Sequence, residues 1–121
     1  MVRALFDTNI LVDYLNAVPQ ARTELERYSE KALSIITWME VMVGASAGVE
    51  AATRSFLNAF SIIALDAEIA ARAVGLRRSH NVKLPDAIIW ATAQVGSMLL
   101  VTRNTKDFAT GDPGIRMPYK L

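Results

Sequence analysis

The sequence contains no cysteine and a single histidine, His80. Lack of cysteine excludes a disulfide framework, thiolate zinc sites and a cysteine nucleophile. With only one imidazole besides, the ligand chemistry of zinc sites is missing. An excess of charge of one sign is also absent. Thirteen Lys and Arg stand against 12 Asp and Glu, a formal net charge of +1. Any nucleic-acid signal therefore has to be local. Long apolar runs are lacking too. The N-terminal run of three apolar residues stops at Asp7, too short for a signal-peptide core. The longest tract, residues 87–101, is broken by Gln94, Gly96 and Ser97 and falls short of a membrane span. A soluble, cytoplasmic protein is expected.

No repeat, low-complexity segment or linker interrupts the 121 residues, so one domain over 1–121 is expected. With 52% hydrophobic and 21% charged residues, disorder is excluded. A chain of this length buries roughly two-thirds of its unfolded surface and needs no structural metal. Short apolar runs alternate with helix-period segments. Strands are expected at 2–6, 32–36, 61–65 and 98–102, with a short fifth at 115–117. Helices are expected at 9–15, 20–29 after Pro19, 37–46 capped by Thr37, 49–60 after Gly48, 67–79 capped by Asp66, and from Pro85 to Gly96. Strands apolar on both faces and separated by helices describe a three-layer α/β fold, a central parallel sheet of four to five strands covered on both sides. Such sheets bind ligands at the carboxyl ends of their strands.

Four acids map to that edge. Asp7 follows the first strand, and Glu40 lies in the first turn of the helix that Thr37 is expected to cap. Asp86 sits in the first turn opened by Pro85, and Asp107 lies five residues beyond Thr102. Singly, each has an ordinary explanation. Asp7 and Asp107 suit turns or caps, Thr37-x-x-Glu40 fits a capping box, and an acid in a first turn gains about 0.3–1 kcal/mol from the helix dipole. Asp66 is such a case, an N-cap after a strand with no further role. Convergence is what the ordinary explanations omit. Neighbouring carboxylates repel one another and raise each other's pKa unless a cation neutralises them. An all-oxygen site suits Mg²⁺ or Mn²⁺, and beside backbone phosphates it suits phosphodiester hydrolysis.

The stretches Leu5-Phe6-Asp7-Thr8-Asn9-Ile10-Leu11, Thr37-Trp38-Met39-Glu40 with Gly44, Leu84-Pro85-Asp86-Ala87-Ile88-Ile89-Trp90-Ala91-Thr92-Ala93, and Leu100-Val101-Thr102-Arg103-Asn104-Thr105-Lys106-Asp107-Phe108 resemble the signature blocks of PIN-domain ribonucleases, and more specifically of VapC-type toxins. The resemblance runs through Ile115-x-x-Pro118-Tyr119 and so spans essentially the whole chain. It implies an endoribonuclease dependent on Mg²⁺ or Mn²⁺, with Asp7, Glu40, Asp86 and Asp107 as its acidic quartet. Asn9, Thr37, Thr102 and Asn104 would be the polar neighbours that orient carboxylates and waters. Asp7, Asp86 and Asp107 would hold one ion, with Glu40 serving a second ion or the attacking water. It further implies a homodimer, a cognate antitoxin that blocks the site, and contact with DNA only through that antitoxin.

Other readings fit less well. A haloacid-dehalogenase-type phosphotransferase wants an acid two residues after its first-strand Asp, where this chain has Asn9. A phospho-receiver domain needs an acceptor Asp after its central strand with a suitably placed Lys, and neither is present. The remaining alternative is a catalytically silent PIN-fold module that binds metal or RNA without turnover. Basic residues bear on substrate. Arg77, Arg78 and Lys83 precede Asp86, and Arg103 and Lys106 flank Asn104. They form either a solvated face or a rim for RNA phosphates, whose binding would weaken with salt. His80 is not read as a general base. Trp38, Met39, Met42 and Val43 share a helix with Glu40, an apolar surplus that a subunit or an antitoxin helix would cover.

Overall fold

The computed structural model describes residues 2–108 and 111–121. Its elements run β1 (Arg3–Phe6), α1 (Thr8–Leu15), α2 (Pro19–Glu26), β2 (Glu30–Ser34), α3 (Ile35–Gly44), a 3₁₀ turn (Ala47–Val49), α4 (Glu50–Asn58), β3 (Ser61–Ile63), α5 (Ala67–His80), α6 (Leu84–Val95), β4 (Leu99–Val101) and β5 (Ile115–Arg116). The five strands form one sheet in the order β3-β2-β1-β4-β5, every neighbouring pair parallel. The three-layer α/β fold expected from the alternation of strands and helices is the one observed.

Strand alternation divides the core between the two faces. Leu5, Ala32 and Leu100 turn toward α5 and α6, where they pack with Ile69, Ala73, Ile89 and Trp90. Ala4, Phe6, Leu33 and Val101 turn the other way and pack with Ile10, Leu11, Leu25, Val41 and Leu57. With both faces covered, the strands can be short and apolar throughout. The chain moves outward from β1 through β2 to β3, then returns on the opposite side through β4 to β5. This reversal opens a crevice at the carboxyl ends of β1 and β4.

Two boundaries differ from the expectation in ways that matter. β2 ends at Ser34, and Ser34 rather than Thr37 caps α3, its Oγ accepting the Ile36 amide at 3.1 Å. The β-branched pair Ile35-Ile36 reads as strand, but Ile36 packs against the α5–α6 layer from the helix's first turn. Thr37 is therefore inside α3 and fully buried, and Glu40, the sixth residue, lies in its second turn. No capping box joins them. Elsewhere Asp66 caps α5 as expected, accepting the Ile69 amide at 2.8 Å, and β3 lies at the sheet edge, away from the crevice. The short fifth strand is present at Ile115–Arg116. α2 stops at Glu26, three residues earlier than expected.

Candidate active site

Asp7 leaves β1 as the N-cap of α1 and is buried, 3% exposed. Its Oδ1 accepts the Thr8 amide at 2.7 Å. Its Oδ2 accepts the Thr102 hydroxyl at 2.7 Å and the Asn9 side-chain amide at 3.2 Å. Burial pushes this carboxyl above its ordinary range, and the charge of Glu40 pushes the same way. The bonds from Thr102, Thr8 and Asn9 pull it back without cancelling the rise.

Glu40 is exposed and accepts the Thr8 hydroxyl at 2.6 Å. The Thr8 and Thr37 hydroxyls lie 3.3 Å apart, so Thr37 reaches the acids only through Thr8. Thr8 thus binds two carboxylates, one through its amide and one through its hydroxyl. Sequence reasoning misses it, although its place between Asp7 and Asn9 at a helix start is a usable signal.

Asp86, in the first turn of α6, is half-buried, and its carboxyl is pushed up to about 7. Burial is the main cause, followed by the charge of Asp7, a hydrogen bond and charge from Asp107, and the charge of Glu40. Asp107 moves down, chiefly because Asn104 Nδ2 donates to it at 3.0 Å. Its bond with Asp86 and the charges of Lys83 and Lys106 act in the same direction. Their proximity thus drives the two carboxyls in opposite directions, Asp86 upward and Asp107 downward. Asn104 Oδ1 also accepts the amides of Lys106 and Asp107, which shapes the loop carrying Asp107.

Asp86 thus feels the charges of Asp7, Asp107 and Glu40, and Asp7 feels that of Glu40. Among the described residues, however, no three acid or imidazole side chains are drawn together closely enough to form a ready ion cage. Asp7, Glu40 and Asp107 accept from Thr8, Thr102, Asn9 and Asn104, while Asp86 bonds Asp107. The donor set consists of carboxylate and hydroxyl oxygens, and it fits a hard divalent cation.

The basic residues separate into two groups. Lys83 and Lys106 are exposed and close enough to Asp107 to lower its pKa. Arg78 is exposed on the last turn of α5. Arg77 and Arg103 have partners within the chain. Arg77 donates to the Val82 carbonyl at 2.5 Å and so closes the turn after α5. The Arg103 guanidinium grips Asp13 with bonds of 2.7 and 2.9 Å. Both side chains serve the fold. Sequence reasoning misses Asp13, although an acid among the apolar residues of the helix TNILVDYL has to find a partner.

A family model for the PIN domain matches residues 4–111, and the chain belongs to that family. Among solved structures it is similar to a chain of a toxin–antitoxin complex from Klebsiella pneumoniae, with 52% identity and a TM-score of 0.93, covering 98% of this chain and 99% of that one. Two more distant likenesses speak for the fold alone. A chain of DNA-bound VapBC from Salmonella typhimurium has 24% identity and a TM-score of 0.77, with 96% of each chain covered. A chain of FitAcB from Neisseria gonorrhoeae has 24% identity and a TM-score of 0.79, covering 98% of this chain and 99% of that one. No curated protein matches.

Proposed function

We propose that this chain is a divalent-metal-dependent endoribonuclease that hydrolyses RNA phosphodiester bonds as the toxin of a VapBC-type toxin–antitoxin pair. The acidic edge carries the reading. Asp7, Glu40, Asp86 and Asp107 come from four separate segments, and their mutual repulsion helps lift the Asp86 carboxyl to about 7. Gathering these charges destabilises the fold unless a cation neutralises them. Asp7, Asp86 and Asp107, with Glu40, would hold Mg²⁺ or Mn²⁺. When bound, such an ion polarises the phosphate, activates a water and stabilises the leaving oxyanion.

The chain's own residues prepare for that chemistry. Thr102, Thr8 and Asn9 aim the Asp7 carboxylate, and Thr8 holds Glu40 beside it. Asn104 sets Asp107, which with Asp7 and Glu40 holds the Asp86 carboxyl above its ordinary range. Lys83 and Lys106, with Arg78 beyond them, offer positive charge to RNA phosphates along the Asp107 side of the crevice. The toxin role rests on the 52% identical neighbour, which comes from a toxin–antitoxin complex. Exposed Met39 and Val43 on α3, with Val12 and Leu15 on α1, are apolar surface for an antitoxin or for a second copy in a homodimer. DNA would be reached only through the antitoxin.

Asp7→Asn tests the reading. The variant keeps the folded circular-dichroism spectrum and loses Mg²⁺-dependent RNA cleavage. Full activity in that variant rejects the assignment.

A further inference from the structure

Asp13 lies on α1 between fully buried Ile10 and Leu11 on one side and the C-terminal segment on the other, and it is 5% exposed. A carboxylate in that position costs several kcal/mol unless it is fully paired. Its partners are complete. Arg103 Nε donates to Oδ2 at 2.7 Å and Arg103 Nη2 to Oδ1 at 2.9 Å, while the Tyr119 hydroxyl donates to Oδ2 at 2.8 Å. A two-pronged guanidinium–carboxylate pair fixes orientation as well as distance.

A second pair of the same form, Glu24 with Arg116 and Tyr28, ties β5 to α2, and the Arg116 carbonyl accepts the Thr102 amide at 3.0 Å, a strand-to-strand bond. The Arg103 pair instead reaches Asp7 through a side chain that orients it. The Arg103 backbone N–H donates to Asn9 Oδ1 at 3.1 Å. With its oxygen so occupied, the Asn9 amide can turn only its NH₂ toward Asp7 Oδ2, at 3.2 Å, and toward Thr102 Oγ1, at 3.3 Å. Rotating the amide by half a turn would set NH₂ against N–H. Asn9 and Asp13 stand one helical turn apart on the same face of α1, so the path from Tyr119 to Asp7 is an unbroken set of contacts.

We propose that Asp13, Arg103 and Tyr119 are positioning residues. They clamp the chain leaving β4 against α1, and the clamped Arg103 amide locks the Asn9 side chain that aims Asp7. The effect on catalysis rests on the nuclease reading, whereas the coupling of the clamp to Asn9 does not.

Two variants and four measurements test this. Arg103→Lys keeps the charge and loses the two-pronged grip, and Tyr119→Phe removes one hydrogen bond while keeping the ring. In the metal-free protein, the Asn9 side-chain NH₂ resonances shift in both variants, more in Arg103→Lys. For that variant, Mn²⁺ binding followed calorimetrically weakens about tenfold and kcat for RNA cleavage falls about ten- to a hundredfold, the range found when a group orienting a metal ligand is lost. KM for RNA stays within about twofold of the wild-type value, since no phosphate-binding group is altered. Unmoved Asn9 resonances beside a lowered melting temperature would show the bridge to be structural only, and would overturn the proposal. If Arg103→Lys does not fold, Tyr119→Phe decides by the same resonances. If wild-type protein neither binds Mn²⁺ nor cuts RNA, the nuclease reading fails while the Asn9 resonances still judge the clamp.

Discussion

Asp7 shows how a buried acid is held in one orientation by its donors. It receives three hydrogen bonds, and the shortest side-chain one comes from Thr102, a residue 95 positions away. Thr102→Val preserves shape but removes the hydroxyl, leaving Oδ2 to Asn9 alone and depriving the Asn104 amide of its acceptor. Urea unfolding at neutral pH should show a loss of about 1–3 kcal/mol, the cost of a buried polar group left short of a partner. The loss should narrow at lower pH, where Asp7 takes up a proton. At this scale the acids themselves were legible in the sequence, because an acid after an apolar strand is conspicuous. Their donors were less so. The setting of Thr8 and Asp13 hints that each has a role but not with whom, since their partners Glu40 and Arg103 are 32 and 90 residues distant.

The helices and strands were readable where local chemistry decides them. Asp66 at the start of α5, and Gly96 at the end of α6, announce those boundaries. The start of α3 was misread because Ile35 and Ile36 favour a strand locally, and packing against another layer overrides that preference. The turn between α5 and α6 depends on three residues. Asn81 takes the left-handed conformation at φ 55°, Val82 is buried, and Arg77 bonds the Val82 carbonyl. Arg77→Ala should therefore lower stability by about 1 kcal/mol, seen in thermal unfolding, and leave RNA affinity within about twofold. Lys83→Glu and Lys106→Glu should behave in the opposite way. Their melting temperatures stay near that of the wild type and RNA affinity falls. The slope of log affinity against log salt flattens by about one for each phosphate no longer neutralised. Equal salt slopes in all three variants would remove the lysines from the rim.

For the molecule as a whole, two sets of acids pull stability in opposite directions with pH. Burial raises the carboxyls of Asp13 and Glu24, but the hydrogen bonds and charges of Arg103, Tyr119, Arg116 and Tyr28 outweigh it and hold both below their ordinary values. Their contribution is present above about pH 4 and is lost as pH falls through the lowered pKa. Asp86, raised from 3.8 to about 7, and Asp7, raised as well, do the reverse. Between about pH 4 and 7 the folded chain retains protons that the unfolded chain releases, so these acids weaken the metal-free fold as pH rises. Calorimetry on metal-free protein should find the highest melting temperature on the acid side of neutrality and a decline toward pH 8. Mn²⁺ should raise the midpoint more at pH 8 than at pH 5, and Asp86→Asn should flatten the decline.

The central place of β1 also governs the order of assembly. Its partner on one side, β2, begins 27 positions beyond the facing residue, as in Arg3 against Glu30, but on the other side Ala4 meets Leu99. The second pairing closes a loop of most of the polypeptide, a pairing that forms slowly because so much chain entropy goes at once. The seam it closes is the one bridged by Thr102 and Asp7. A chain emerging during synthesis can therefore complete its β1–β2 half early, while its acids gain their shared geometry only when β4 arrives. Assembly of the acidic edge is thereby deferred to a late, long-range step of folding.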